Sequence, residues 1–102
     1  MEIISLSVIK RFIREHANAR VALNAWYEIA SKTTWGSFSE VKQTFRSADM
    51  YRQCVIFNIG GNKYRLIARI DYKNGILVIE QILTHAEYDK DKWKGNCEKC
   101  PD

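Results

Sequence analysis

The first half of the chain carries apolar residues at the spacing of amphipathic helices. A short strand is predicted at residues 2–5, and Ser7 is placed to cap a helix that continues to about His16. Asn18 is placed to cap a second helix, whose apolar stripe continues to about Ser31. Because each helix has one apolar face, we expect the two to pack together on a shared core.

Two further helix starts have the spacing of a capping box. Ser37 and Glu40 predict a short third helix that ends near Phe45. Thr84 and Glu87 have the same spacing and predict a helical turn directly after the last strand. In such a box the hydroxyl and the carboxylate each accept a backbone N–H that the helix leaves unpaired, so both positions mark the beginning of a helix.

From about residue 54 the pattern changes from helical to extended. Three runs rich in β-branched and aromatic residues follow one another: CVIFNI, NKYRLIARIDY and ILVIEQIL. Short glycine-containing turns separate them, so we predict three antiparallel strands. The order of elements predicts an α+β fold, with helices packed on one face of a small antiparallel sheet. We expect one domain over residues 1–94 and a polar tail over residues 95–102.

The sequence Gly60-Gly61-Asn62-Lys63 could belong to a phosphate-binding loop or to a hairpin turn. A phosphate-binding P-loop needs G-x-x-x-x-G-K-[ST] between a strand and a helix, because the helix amino terminus supplies part of the anion site. Here the spacing differs and a strand follows. Adjacent glycines between two strands suit a tight turn with positive φ, so we predict a hairpin.

Composition and charge narrow the class of protein. The 102 residues are 46% hydrophobic, yet no apolar run approaches the roughly 20 residues that cross a bilayer. The amino-terminal segment has its basic residues after its apolar ones, which is the wrong order for a secretory signal. We therefore expect a soluble, cytoplasmic protein without membrane contact. A formal net charge of +4 and a pI of about 9.1 favour a polyanionic partner.

The cysteines predict neither a disulfide framework nor a metal site. The chain has three cysteines, an odd number, and no export signal, which argues against disulfides. Cys97 and Cys100 form the sequence CEKC, but a zinc site normally needs a second such pair or added histidines. The nearest histidine is His85. An untethered polar tail is the expected structure, with no metal or other cofactor.

One strand carries its cations on a single face. Side chains alternate along a strand, which places Lys63, Arg65 and Arg69 on one side. The opposite side carries Tyr64, Leu66, Ala68, Ile70 and Tyr72, and we expect that side to pack on the helices. The basic side is either an ordinary solvated face or an open surface for nucleic acid.

The segment THAEYDKDKWKGN supplies candidates for proton transfer. Cleavage of RNA through its own 2′-hydroxyl requires a base, a cation for the phosphate and an acid for the departing 5′ oxygen. His85 can exchange a proton near neutral pH, and Tyr88 can do so if nearby cations lower its pKa. Lys63 and Arg65 complete the set of candidate catalytic residues. Taken singly, His85 is equally well explained as a capping or packing residue, and Tyr88 is better explained as a core residue.

Longer stretches of the chain resemble a known family. The sequences VIFNIGGNKYRLIARIDY and LTHAEYDKDKWK, together with the spaced W…W…F…VK…F pattern and RSAD, resemble HigB-type toxins of the RelE superfamily. The resemblance extends to about Lys94. It implies a RelE-like compact fold and an endoribonuclease that cleaves messenger RNA, usually at the ribosome. It also implies silencing by a HigA-like helix-turn-helix antitoxin.

The resemblance also implies where the site lies. RNA is held by the basic face of the sheet, and residues near the last strand and the carboxyl-terminal segment complete the site. His85 and Tyr88 are then the proton-transfer candidates, and Asp89 is placed to orient one of them. The further RNA-binding residues expected on this basis are Arg69, Asp89, Lys90, Lys92 and Lys94.

Two other classes of function stay open at this stage. ParE-like toxins of the same superfamily poison DNA gyrase without cleaving RNA, and a basic face also suits such binding. A non-catalytic RNA-binding module is the third possibility. It would expose aromatic platforms for base stacking, whereas Phe57, Tyr64 and Tyr72 fall mostly on the predicted core side.

Overall fold

The computed structural model describes residues 1–98. Its elements are β1 (Glu2–Ile4), α1 (Leu6–Glu15), α2 (Arg20–Lys32), α3 (Phe38–Thr44), β2 (Asp49–Tyr51), β3 (Cys54–Ile59), β4 (Tyr64–Asp71), β5 (Ile76–Thr84), α4 (His85–Asp89) and α5 (Lys94–Glu98). The strands form one five-stranded sheet in the order β1-β5-β4-β3-β2. The predicted α+β fold is confirmed, with two differences in the sheet: β1 runs parallel to β5, so the sheet is mixed, and the strand β2 was not predicted.

The predicted helix starts are confirmed in part. The N-cap residue of α1 is Ser5 rather than Ser7, with Ser5 in the left-handed region at φ 73°. A 3₁₀ turn precedes α2, so that helix begins at Arg20 instead of next to Asn18. Only the second capping box is complete: Thr84 and the Glu87 carboxylate each accept the other's backbone N–H. That box fixes where α4 leaves the sheet.

The main core lies between the helices and one face of the sheet. Phe57 is at its centre, with ring contacts to Trp26 at 5.4 Å, Phe45 at 5.3 Å and Trp35 at 6.3 Å between centroids. The strand residues predicted to face the helices belong to this core or pack against it: Tyr64, Leu66, Ala68, Ile70 and Tyr72. That face assignment is confirmed.

The opposite face of the sheet is not open as predicted. A second, smaller cluster covers it: Cys54, Ile56, Ile67, Trp93 and Cys97, with Tyr51, Leu83 and Tyr88 packed around them. Ile67 is fully buried, and Arg65 is only 8% exposed. The prediction failed because strand alternation gives the side on which a residue lies, but not whether a later segment covers that side.

Cys54 and Cys97 form a disulfide, with their Cα atoms 5.5 Å apart. The prediction against disulfides was therefore wrong, since an odd number of cysteines leaves room for one pair. Residues 95–98 continue α5 and are not a free tail. The domain boundary at residue 94 stays a prediction, and the suggested role of Cys100 lies outside the described residues.

Residues 1–98 contain no group of three or more His, Cys, Asp or Glu side chains arranged to hold a metal ion. No helix within them is long and apolar enough to span a membrane.

A β-bulge in β5 keeps its apolar residues on the core side. Ala68 pairs with Ile79 and Ile67 pairs with Gln81, which leaves Glu80 as the extra residue. Leu77 and Ile79 before the bulge, and Ile82 after it, all belong to the main core. Without the extra residue, the period of two would turn Ile82 to the other face. The bulge therefore sets the direction in which the chain leaves β5 and enters α4.

Replacing Phe57 by alanine should destabilise the fold strongly. The ring is 1% exposed and touches three other aromatic rings. We expect a loss of about 3–5 kcal/mol in the free energy of unfolding, measured by urea denaturation. The matched control is Val21→Ala, at a helix position that is 80% exposed, which should change stability by no more than about 0.5 kcal/mol. Equal losses in the two variants would contradict the assignment of the core.

Candidate functional site

The hairpin turn and the start of α4 meet at one end of the sheet. The backbone N–H of His85 donates to the carbonyl of Lys63 at 3.0 Å, which holds the helix start against the turn. Gly60 and Gly61 both have positive φ, at 64° and 70°, as a hairpin requires. Lys63 is exposed, so its ammonium group is available to a ligand at this end of the sheet.

His85 lies next to a carboxylate. Its Nδ1 is 3.0 Å from Oδ2 of Asp89, one helical turn later, and the two side chains are 50% and 61% exposed. A carboxylate in this position holds the proton on Nδ1 and stabilises the imidazolium, which leaves Nε2 free to accept or give a proton. The contact is the one expected if Asp89 orients His85.

Tyr88 belongs to the same short helix but has different neighbours. Its ring is stacked on Trp93, with centroids 5.0 Å apart and planes 11° apart, and the Arg65 guanidinium carbon lies 5.0 Å from its centroid. Trp93 also donates its indole N–H to the backbone carbonyl of Tyr88 at 2.9 Å. At 4% exposure, Trp93 is firmly packed, and it fixes both the ring and the backbone of Tyr88.

Trp93 was missing from the residues predicted for the site. In the sequence, Trp93 is a single aromatic residue between Lys92 and Lys94, and this short stretch has the pattern of an exposed basic turn. What it contacts could not be predicted, because its partners lie on β2, β3 and β4.

Arg65 supports Tyr88 and is not a free cation of an open face. Its guanidinium donates to the Asn62 carbonyl at 3.1 Å, to the Asn62 side chain at 3.3 Å and to the Tyr64 carbonyl at 3.3 Å. Because only 8% of the residue is exposed, only a small part of the guanidinium group can contact a ligand. We infer that it acts on the site mainly through the Tyr88 ring.

The pKa of Tyr88 is raised, against the sequence-based expectation that cations would lower it. Desolvation is the largest cause, and it outweighs the Arg65 cation, which lowers the pKa. Among the weaker effects, Asp49 and Asp91 raise the pKa and Lys94 lowers it. Tyr88 is therefore protonated at neutral pH, where a phenol can donate a proton or a hydrogen bond but cannot serve as a base.

Arg69 is not brought together with the other candidates. Its Nε is 3.1 Å from the Glu80 carboxylate, and its Nη2 donates to the backbone carbonyl of Asn96. It also lies four residues along β4 from Arg65, or about 13 Å at the usual rise per residue. Its charge is already compensated within the fold, so RNA binding by Arg69 requires a partner to be displaced.

The lysines of the carboxyl-terminal segment divide into two kinds. Lys90 and Lys92 are exposed and have no ion-pair partner within residues 1–98. They line a shallow cleft of about 290 Å³ beside Trp93. Lys94 instead lies 3.3 Å from the Asp91 carboxylate and over the ring of Tyr51. The first two suit phosphate groups of a nucleic acid.

A larger cavity of about 730 Å³ lies elsewhere on the molecule. Arg52, Arg69 and Lys73 are among the residues that line it, and the four candidate catalytic residues are not. It is therefore separate from the end of the sheet that holds the imidazole and the phenol.

Comparison with known proteins agrees with the resemblance seen in the sequence. Residues 19–91 match the family HigB_toxin, described as the RelE-like toxic component of a toxin-antitoxin system. The chain is 30% identical over 93 residues to the mRNA interferase HigB of Escherichia coli O6:H1, covering 88% of this chain and 90% of that protein. It is 25% identical over 92 residues to the mRNA interferase toxin HigB of Escherichia coli K12, covering 87% and 88%.

The titration of Tyr88 tests the geometry of the site. The difference in phenolate absorbance between the wild type and Tyr88→Phe should have a midpoint above the ordinary value of 10.0, because burial disfavours the charged form. In an Arg65→Gln background the midpoint should rise further, since the cation that stabilises the phenolate is gone. Circular dichroism should confirm that each variant is folded over the titration. A midpoint below 10.0 would show that the ring is not desolvated as described.

Proposed function

Because the chain belongs to the HigB family of RelE-like toxins, we propose that it is an endoribonuclease that cleaves messenger RNA. Two similar proteins that cover most of its length are named mRNA interferases. As the toxic component of a toxin–antitoxin system, it is silenced by a cognate antitoxin, which we propose to be a HigA-like helix-turn-helix protein.

His85 is the proposed general base of this reaction. Its Nε2 removes the proton of the RNA 2′-hydroxyl, and the Asp89 carboxylate on Nδ1 stabilises the imidazolium that forms. The 2′ oxygen then attacks the adjacent phosphorus and the bond to the 5′ oxygen breaks. Lys63 neutralises charge that builds up on the phosphate oxygens. The proposed reaction uses no metal ion.

Tyr88 is the proposed acid that protonates the departing 5′ oxygen. Because its pKa is not lowered, the phenol holds its proton at neutral pH and can act as an acid but not as a base. The sequence alone left open which residue was the acid and which the base. Arg65 lies against the ring and limits how far the pKa rises, which keeps the phenol acidic enough to donate.

The single observation that carries the proposal is the exposed imidazole–carboxylate pair of His85 and Asp89, with Nδ1 and Oδ2 3.0 Å apart, on a helix whose first backbone N–H donates to the carbonyl of the exposed Lys63. A protein that only binds RNA, or only blocks gyrase, has no use for a proton-transfer group held in one tautomer. The names of the similar proteins also favour the interferase over a gyrase inhibitor.

Translating ribosomes are the proposed place of cleavage. Among the described residues the site is an open surface, and its free cations Lys63, Lys90 and Lys92 lie around it. Such cations neutralise phosphates without selecting a sequence, so they suit contacts with both messenger and ribosomal RNA. Purified protein is incubated with messenger RNA, with and without translating ribosomes, and the new RNA ends are mapped. This comparison distinguishes cleavage at the ribosome from cleavage of free messenger RNA.

Substitution of the two proton-transfer residues should separate cleavage from binding. His85→Gln and Tyr88→Phe should each lower the single-turnover cleavage rate by roughly 10²–10⁴-fold, the usual contribution of a positioned acid or base. RNA binding should change little, because the lysines remain. The matched control is Lys32→Gln, an exposed lysine on α2 that should cleave at the wild-type rate. Wild-type rates in both site variants would show that the proton-transfer assignment is wrong.

A further inference from the structure

The disulfide joins two distant parts of the chain on the second face of the sheet. Cys54 is the first residue of β3, and Cys97 lies 43 residues later in α5. Both are fully buried in the smaller cluster. The neighbouring Cys100 belongs to the same CEKC sequence but lies outside the described residues.

The disulfide holds the segment that orders Tyr88. Trp93 lies four residues before Cys97 and packs in the same cluster, against Ile56 and Ile67. It also stacks on Tyr88 and donates to its backbone carbonyl. Within residues 1–98 this cluster has five buried members, two of which are the cysteines themselves. A covalent bond is therefore a large part of what keeps Trp93 in place.

The disulfide form leaves the proposed active site accessible. His85, Asp89 and Lys63 are all exposed in it, as are Lys90 and Lys92. What the attached segment covers is the middle of β4, where Ile67 is buried and the carbonyl of Asn96 accepts from Arg69. The attachment thus orders the site without blocking it.

We propose that the Cys54–Cys97 pair is a reversible redox site, and that cleavage is fast only in its disulfide form. This proposal rests on the proposed function for its effect on RNA, and on the packing of Trp93 for its effect on structure. Reduction frees α5 from β3, so Tyr88 loses its fixed position, while Lys63, Lys90 and Lys92 keep their charges and their exposure to RNA.

The chemistry is thiol–disulfide exchange with a dithiol. One thiolate of the dithiol attacks a cysteine sulfur, the S–S bond breaks, and the other cysteine leaves as a thiolate that takes up a proton. The second thiol of the dithiol then closes its own disulfide and releases the first cysteine. Two electrons and two protons pass from the dithiol to the pair. Since both sulfurs are buried, α5 must lift from the sheet before attack. In reducing compartments such disulfides are mostly catalytic or redox-sensing.

The test compares the oxidised protein with protein reduced by dithiothreitol. Mass spectrometry after thiol alkylation defines the two states. Cleavage should fall by roughly 10- to 100-fold on reduction, the range expected when a catalytic group is misplaced, while RNA affinity stays within about twofold. Cys97→Ser should behave like the reduced protein under both conditions. Cys100→Ser keeps the pair and should respond to reduction as the wild type does.

Tryptophan fluorescence supplies a readout that does not depend on cleavage. Emission should shift to longer wavelength on reduction, as Trp93 becomes exposed, and this shift should be absent from Trp93→Phe. If Cys97→Ser does not fold, Cys54→Ser and the reduced wild type take its place.

The outcomes separate this proposal from the proposed function. Equal cleavage rates before and after reduction, faster cleavage after it, or free thiols at Cys54 and Cys97 in air-oxidised protein would each overturn the redox proposal and leave the ribonuclease standing. If neither form cleaves RNA, the proposed function fails. In that case the fluorescence alone tests the redox site, and an emission spectrum that does not change on reduction rejects it.

Discussion

The burial of Trp93 on the second face of the sheet is the contact on which the rest of the site depends. The indole is stacked on Tyr88, lies edge-on to Tyr51 with centroids 5.5 Å apart, and is 4% exposed. Truncating a buried aromatic residue of this size costs about 3–5 kcal/mol. The protein thereby gains a second small core, and that core determines where the phenol is held above Arg65.

This packing also decides which cations face a ligand. A charge that is taken out of water must be paired or hydrogen-bonded, and both arginines of β4 have such partners. Arg65 is bonded to Asn62, and Arg69 is paired with Glu80. Lys63 in the turn and Lys90 and Lys92 after α4 have no ion-pair partner within residues 1–98. We therefore propose that phosphate binds around the start of α4 and not along β4, where strand alternation alone predicted it.

Local signals in the sequence predicted the parts of the fold that depend on neighbouring residues. The T-x-x-E spacing predicted the capping box at Thr84, and the adjacent glycines predicted a turn with positive φ. Contacts between distant segments have no such local pattern in the sequence. The pairing of Cys54 with Cys97 and the cover over Ile67 join elements far apart in the chain, and the bulge at Glu80 depends on the register between β4 and β5. The site followed the same rule: the His85–Asp89 contact follows from helical spacing, whereas the role of Trp93 does not.

The chemistry of the new RNA ends tests the central claim most directly. Messenger RNA is incubated with the oxidised protein and ribosomes, the fragments are isolated, and their termini are identified by mass spectrometry. Attack by the 2′-hydroxyl, with His85 as base and Tyr88 as acid, predicts a 2′,3′-cyclic phosphate on one fragment and a 5′-hydroxyl on the next. Fragments that carry a 5′-phosphate and a 3′-hydroxyl would contradict the account, because water and not the 2′ oxygen would then have attacked the phosphorus.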